Sequence, residues 1–363
     1  MKNGKLKIGI IGCGGIANQK HLPALKEASE LCEMIAFCDL VEERAVEAAK
    51  EYGAADAKVY DDYRKLLEDE SIDVVHVLTP NVSHCPITVA AFEAGKHVMC
   101  EKPMADTTEA AQLMINAWKK SGKKFTIGYQ NRFKPEVQSL HNSCEKEELG
   151  NIYYARASAV RRRAVPTWGV FQDKAQQGGG PLIDIGTHAL DLTLWMMNNY
   201  QPLSVSGTAF YKMADQTQGN MFGPWDPKTF DVEDSAFGMI KMKNGATIYL
   251  EASWILNVTA PKEIGITLCG TKAGVEMDVI KRELIYNKEH SGILTEEHLS
   301  AGSTINYFGS RLNSPGSVEA RQWLLAVIND TQPLVNPEQA FVVTKILDGI
   351  YKSARIGKEV CFE

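Results

Sequence analysis

Residues 178–197 read GGGPLIDIGTHALDLTLWMM, almost uniformly apolar after the glycines and proline, yet they contain Asp184, His188 and Asp191. At spacings i, i+4 and i+7 the three share one helical face. Leu182, Ile183, Ile185, Leu190, Leu192, Leu194 and Trp195 fill the others. Ionisable groups are seldom buried without partners, because desolvation disfavours the charged form. The bland explanation is a set of satisfied core groups tying down backbone amides. The functional one is a proton-transfer site, since an imidazole titrates close to neutral pH. A lone histidine on such a helix reads as core; three aligned groups favour chemistry for Asp184 and His188. Asp191 reads as a structural hydrogen-bonding partner.

The elements that must position such a site begin at the N-terminus. LKIGII (6–11) is a short β-rich run that leads into GCGGIA (12–17). Gly12, Gly14 and Ala17 fit G-x-G-x-x-G/A, with Gly15 and Ile16 in the same turn. A helical pattern follows, then the strand EMIAFCD ending in Asp39, about 20 residues beyond the turn. Gly12 permits the tight turn, Gly14 lets the backbone approach a pyrophosphate, and Ala17 keeps the helix close to the strand. The helix N-terminus favours phosphate charge. Asp39 can accept hydrogen bonds from both adenosine ribose hydroxyls and would repel a 2′-phosphate. Leu40 and Val41 follow it with no arginine, so NAD is expected over NADP. The competing reading is a Rossmann-like fold that has lost its nucleotide.

Strands and helices go on alternating. A helix through VEERAVEAAKEY and the segment YDDYRKLLED lead to the strand at 73–80. The helix HCPITVAAFEAG precedes the strand at 97–103, and TTEAAQLMINAWKKSG precedes KFTIGYQNRF. This alternation predicts a doubly wound parallel sheet with ligands at its carboxyl ends. Those ends carry Thr79, Pro80 and Asn81, then Glu101, Lys102 and Pro103, then Gln130, Asn131 and Arg132. Beyond about residue 128 the runs IYYARASAV, LSVSGTAFY, SAFGMIKMK and ATIYLEASW read as grouped strands. SVEARQWLLAVIND and EQAFVVTKILDGIYKSA read as packing helices, which together predict an α+β layer. The expected division is a dinucleotide-binding Rossmann domain at 1–127 and an α+β domain at 128–363. Residues 212–234 lack a period and read as a loop, either a lid or merely mobile. Trp225 within it is either a sugar-stacking residue or an anchor.

The chain has 363 residues, 44% hydrophobic and 23% charged, which is ample for two cores. A net charge of −6 argues against a nucleic-acid or anionic-membrane binder. Eight scattered cysteines without a CxxC pair suggest reduced thiols in the cytoplasm, with neither a disulfide frame nor a metal site. The N-terminal apolar run is too short, and breaks into glycines too soon, for a signal peptide. No run approaches the roughly 20 apolar residues of a membrane span.

GIIGCGGIA, TPNVSH (79–84), EKP (101–103) and DIGTHALD (184–191), in this order, resemble the glucose–fructose oxidoreductase / inositol dehydrogenase / MocA (Gfo/Idh/MocA) family along essentially the whole chain. The resemblance implies a Rossmann domain followed by an α+β domain with an open, mainly antiparallel sheet. It also implies NAD(P)-dependent oxidation or reduction of a secondary alcohol on a sugar or cyclitol. RRRAVPTWGVF (161–171) is similar to a subgroup that includes glycoside 3-oxidases, pointing to C3-OH of a glucoside and a 3-keto product. Carried over by motif, Lys102 is the EKP lysine, and Asp184 and His188 are the D-x-x-x-H pair. The substrate hydroxyl is then expected between Lys102 and His188. His188 takes its proton, Lys102 stabilises alkoxide character, and Asp184 orients the imidazole or a substrate hydroxyl.

Asn81 and His84 are expected against the cofactor, as is Glu101, for which a salt bridge is the alternative. Asn131 and Arg132 are expected near cofactor or substrate, and Asn18 and His21 either line the cleft or belong to the helix surface. Of Arg161, Arg162 and Arg163, Arg163 is taken as a substrate contact, and Trp168 as an aromatic wall. A homodimer or homotetramer through the open sheet face is expected from the resemblance. Two other functions share these residues. One recycles a tightly bound NAD for sugar exchange, epimerisation or oxidation-assisted glycoside cleavage; the other is a non-catalytic NAD-binding sensor.

Overall fold

A computed structural model describes residues 4–300 and 314–362. Residues 1–3, ahead of the N-terminal apolar run, lie outside the described residues. The chain forms two compact units, the first reaching Phe133 and ending at Phe341 after a return of the chain, the second taking up at Lys134 and again at Val342.

The first unit is built on β1 (Leu6–Ile11), β2 (Cys32–Cys38), β3 (Lys58–Tyr60), β4 (Val74–Val77), β5 (His97–Cys100) and β6 (Phe125–Ile127). All pair in parallel, in the order β3-β2-β1-β4-β5-β6. Central strands of such a sheet are covered on both faces and so lose the polar alternation of a half-exposed strand. VVHV in β4 is buried throughout, His76 included. From β1 the chain winds first toward β3 and later crosses to β4, so the carboxyl ends of β1 and β4 flank the point where ligands bind in doubly wound sheets. The helices Leu22–Glu27 and Pro315–Ile328 share one core with this sheet, through Leu22, Leu25, Ala320, Trp323, Leu324 and Val327 beside Ile8, Ile10 and Phe37.

The second unit carries β7 (Ile152–Val160), β8 (Pro202–Phe210), β9 (Ser235–Met242), β10 (Thr247–Ser253), β11 (Gly265–Gly270), β12 (Ala273–Asp278), β13 (Glu283–His290), β14 (Ile293–Ser300) and β15 (Val360–Cys361). Their order is β14-β13-β12-β11-β7-β10-β9-β8-β15, antiparallel except where β7 meets β10. The four strands from β11 to β14 escape the sequence reading, because two are short apolar runs beginning or ending near glycine and two are rich in charge. The helices Pro135–Glu145 and Thr187–Met197 lie together in this unit, with His141 stacked on Trp195 at 3.8 Å between ring centroids. Within 212–234 the regular structure is one 3-10 turn, Pro227–Thr229. Among the described residues no helix is long and apolar enough to cross a membrane.

Candidate active site

The glycine turn sits at the end of β1. Gly12 has φ +95°, and a Cβ there would lie 2.7 Å from the Leu78 carbonyl at the end of β4. Only glycine satisfies both constraints. Around Gly14 nothing among the described residues lies within 4 Å of a built Cβ, and Gly15 and Ile16 are exposed. The turn thus leaves its outer side open for a pyrophosphate. Asp39 faces it, its Oδ2 accepting from the Cys13 amide at 2.8 Å and its Oδ1 from the Val41 amide at 2.9 Å. The open glycines, the helix start and the half-buried carboxylate fit a dinucleotide.

At the ends of β4 and β5 the side chains do something other than the sequence suggests. His84 is fully buried, its Nδ1 2.8 Å from the Pro103 carbonyl and its Nε2 2.9 Å from the Thr79 carbonyl. Its ring joins the TPN turn to the EKP turn. Burial lowers its pKa against the pull of the two carbonyls.

Glu101 also takes the alternative role. Its Oε1 accepts from Lys20 Nζ at 2.6 Å and from His21 Nε2 at 2.8 Å, and its Oε2 from the Lys102 amide at 2.9 Å. Burial pushes its carboxyl up, but Lys20 and His21 outweigh it and hold the group well below the usual range. Lys102 itself is half-buried between buried Glu101 and buried Pro103. Thr79, Pro80 and Asn81 are half-buried at the same sheet edge. Arg132 is wholly buried, with Nη1 2.6 Å from Gln339 Oε1. Asn131 beside it is buried too.

In the second unit, the segment that holds Asp184 is a π-turn, Leu182–Gly186, followed by the α-helix Thr187–Met197. The uniform α-helical face assumed for Asp184, His188 and Asp191 is therefore broken after Asp184. Asp184 is fixed by the Trp254 indole, whose Nε1 donates to Oδ2 at 3.1 Å. Asp191 is buried. From Pro181 to Met196 every residue is buried except His188. Along this apolar segment the imidazole alone is half-buried.

The GGG turn ahead of it approaches its own chain: Cβ atoms at Gly179 and Gly180 would fall 2.1 Å from the Tyr351 hydroxyl and 2.2 Å from the Glu233 carbonyl. Buried Glu233 accepts from the Gly180 amide at 2.8 Å, the Leu182 amide at 3.2 Å and the Tyr351 hydroxyl at 2.8 Å. Burial raises its carboxyl pKa against these donors. Glu233, Tyr351 and Trp254 lie far from the motif in sequence, and no local spacing announces them.

The loops at 161–171 and 216–223 are laced together. The Val165 amide donates to Asn220 Oδ1 at 2.8 Å, the Thr167 hydroxyl to the Phe222 carbonyl at 2.6 Å and Arg163 Nη1 to the Gln218 carbonyl at 3.2 Å. Trp168 stands 52% exposed with its ring edge-to-face against Phe222. Arg161 is paired with Glu263 at 2.6 Å. Trp225 is buried with its indole donating to the Ala214 carbonyl at 2.7 Å, an anchor.

Residues 6–129 match the family described as "Oxidoreductase family, NAD-binding Rossmann fold", and residues 143–362 match "Oxidoreductase family, C-terminal alpha/beta domain". The D-glucoside 3-dehydrogenase of Escherichia coli (strain K12) is 34% identical over 360 residues, covering 99% of this chain and 98% of that protein. The inositol 2-dehydrogenase of Salmonella typhimurium (strain LT2) is 33% identical over 202 residues, 55% of this chain and 57% of that one. The structure of levoglucosan dehydrogenase in complex with NADH and levoglucosan superposes with a TM-score of 0.83 at 23% identity, covering 99% of both chains, and shares the fold.

Proposed function

Because the chain belongs to the Gfo/Idh/MocA family of NAD-dependent oxidoreductases, we propose that it oxidises a secondary hydroxyl of a sugar, glycoside or cyclitol, foremost C3-OH of a glucoside to the 3-keto sugar. The observation that carries this reading is His188, alone among Pro181–Met196 in reaching the surface of an otherwise buried segment. The likeness to D-glucoside 3-dehydrogenase along nearly the whole chain supports the choice of glucoside and carbon.

Bound NAD supplies the acceptor for the hydride that leaves the carbinol carbon. A ring nitrogen of His188 takes the proton from the substrate hydroxyl. Lys102 Nζ donates a hydrogen bond to the same oxygen and stabilises the negative charge it develops. Asp184, its Oδ2 fixed by Trp254, orients the imidazole or a neighbouring hydroxyl and favours the imidazolium. Gly14 and Gly15 admit the pyrophosphate and Asp39 accepts from the adenosine ribose. Trp168 and Arg163 shape the sugar site from the laced loops.

A panel of sugars, glycosides and inositols with NAD and with NADP, read by the absorbance of the reduced nicotinamide, tests this. Glucosides with NAD are expected to give NADH in proportion to keto product. No reduced cofactor and no oxidised sugar from any member would overturn the reading. Product without released NADH would indicate recycling. Exposed Tyr249, its ring 6.0 Å from that of Tyr154 on the neighbouring strand, supports a homo-oligomer formed over this sheet face, which sedimentation checks, and the unpaired thiols support a cytoplasmic setting.

A further inference from the structure

A buried charged cluster beneath the EKP turn has no part in the mechanism above. Lys20 Nζ lies 2.6 Å from Glu101 Oε1 and 2.7 Å from Glu319 Oε2, all three side chains being less than a tenth exposed. His21 Nε2 also reaches Glu101 Oε1, and His21 Nδ1 lies 3.2 Å from His76 Nδ1. The proton pattern follows from chemistry. A carboxylate only accepts, so His21 donates from Nε2 and must accept at Nδ1, and His76 donates from Nδ1. That leaves His76 Nε2 bare, and it is buried with no partner among the described residues. Burial and Lys20 keep His21 neutral, while burial, His21 and Lys20 do so for His76.

Burying this many ionisable groups generally costs more than an apolar core would, so a role other than stability accounts better for their presence. Its two ends show what it joins. Lys20 and His21 lie in a π-turn, Ala17–His21, that directly follows the glycine turn. In the same π-turn Asn18 Nδ2 donates to the carbonyls of Cys13 and Gly14 at 2.9 and 3.0 Å. At the other end Glu101 Oε2 accepts the Lys102 amide at 2.9 Å. A wide turn rooted on the dinucleotide loop thus grips the carboxylate that holds the backbone of the reacting lysine.

We propose that Lys20 and His21 are positioning residues that fix Lys102 through Glu101 and tie its placement to the glycine turn. The proposal rests on the catalytic role read for Lys102 above. Misplacing a reacting group by about 1 Å can cost 100-fold. His21→Leu and Lys20→Met are therefore expected to lower kcat by roughly 10- to 100-fold, with KM and NADH affinity little changed. His21→Gln, which keeps a donor toward Glu101, should recover most of the loss. Amide hydrogen exchange at Lys102 in the cofactor-free protein should quicken in both damaging variants and return toward normal in His21→Gln.

A cycle with Lys102→Met separates the possible failures. If the two residues act through Lys102, His21→Leu adds no further loss of turnover once Lys102 is Met. An additive loss, or unchanged kcat and unchanged exchange in the single variants, overturns the positioning role. If Lys102→Met turns over like the parent, the catalytic reading falls instead, whatever His21 does; an altered Lys102 exchange in His21→Leu would still report the physical link.

Discussion

Glu319→Gln should make the protein more stable at alkaline pH and leave it little changed at acid pH. Glu319 faces Lys20 and, across it, Glu101, with its side chain 3% exposed. Burial, aided by Glu101 and opposed by Lys20, raises its pKa from 4.5 to about 7. Between these two values the folded protein keeps a proton that the unfolded chain gives up. Stability from this group therefore falls as pH rises from 4.5 to about 7 and is flat above. At about 1.4 kcal/mol per pH unit, the wild type forfeits on the order of 3 kcal/mol by about pH 8.

Glutamine keeps the shape and an acceptor for Lys20 but does not titrate. The lowered pKa values of Glu101, His21 and His76 act in both proteins and largely cancel in the difference. Urea unfolding of both proteins from about pH 5 to about pH 8 measures the gap. A gap that opens in favour of the variant with rising pH agrees with the reasoning. A gap independent of pH, or one that widens toward acid, refutes it.

His188→Ala should lower turnover by about 10²- to 10⁴-fold while leaving NADH affinity intact, checked by steady-state kinetics and fluorescence titration. Asp39→Ala removes the acceptor for the Cys13 and Val41 amides and the expected ribose contact. NADH affinity should fall by roughly 10- to 100-fold and discrimination against NADPH should narrow, both read from paired titrations. Tyr351→Phe deprives buried Glu233 of one donor, and chemical denaturation should show a loss of about 1–3 kcal/mol.

The parallel sheet was legible because buried strands and amphipathic helices alternate, and because a glycine at +95° beside Leu78 tolerates no other residue. KVY in β3 was not, being three residues long. The EKP and TPNVSH segments stand out by their position after strands, but what their side chains touch does not follow from position. His84 turns both ring nitrogens toward carbonyl oxygens, one of which its single N–H can bond, and Glu101 spends its oxygens on Lys20, His21 and the Lys102 amide. Lys20 and Glu319 meet across nearly the whole length of the chain, and no local pattern anticipates such a pair. The π-turns at Ala17–His21 and Leu182–Gly186 are hidden for another reason, since helical spacing is read against 3.6 residues per turn. His188 was found by its type in an apolar run; that it alone breaks the surface there depends on how the surrounding segment packs.

The most direct test follows the hydrogen itself. A glucoside carrying deuterium at C3 is mixed with NAD and the protein, and the reduced nicotinamide is examined by mass spectrometry and proton NMR. Deuterium on the nicotinamide ring, accompanied by a keto group at C3 of the sugar, is the predicted result. Reduced cofactor without the label, or an unaltered glucoside after exhaustive incubation, would contradict it.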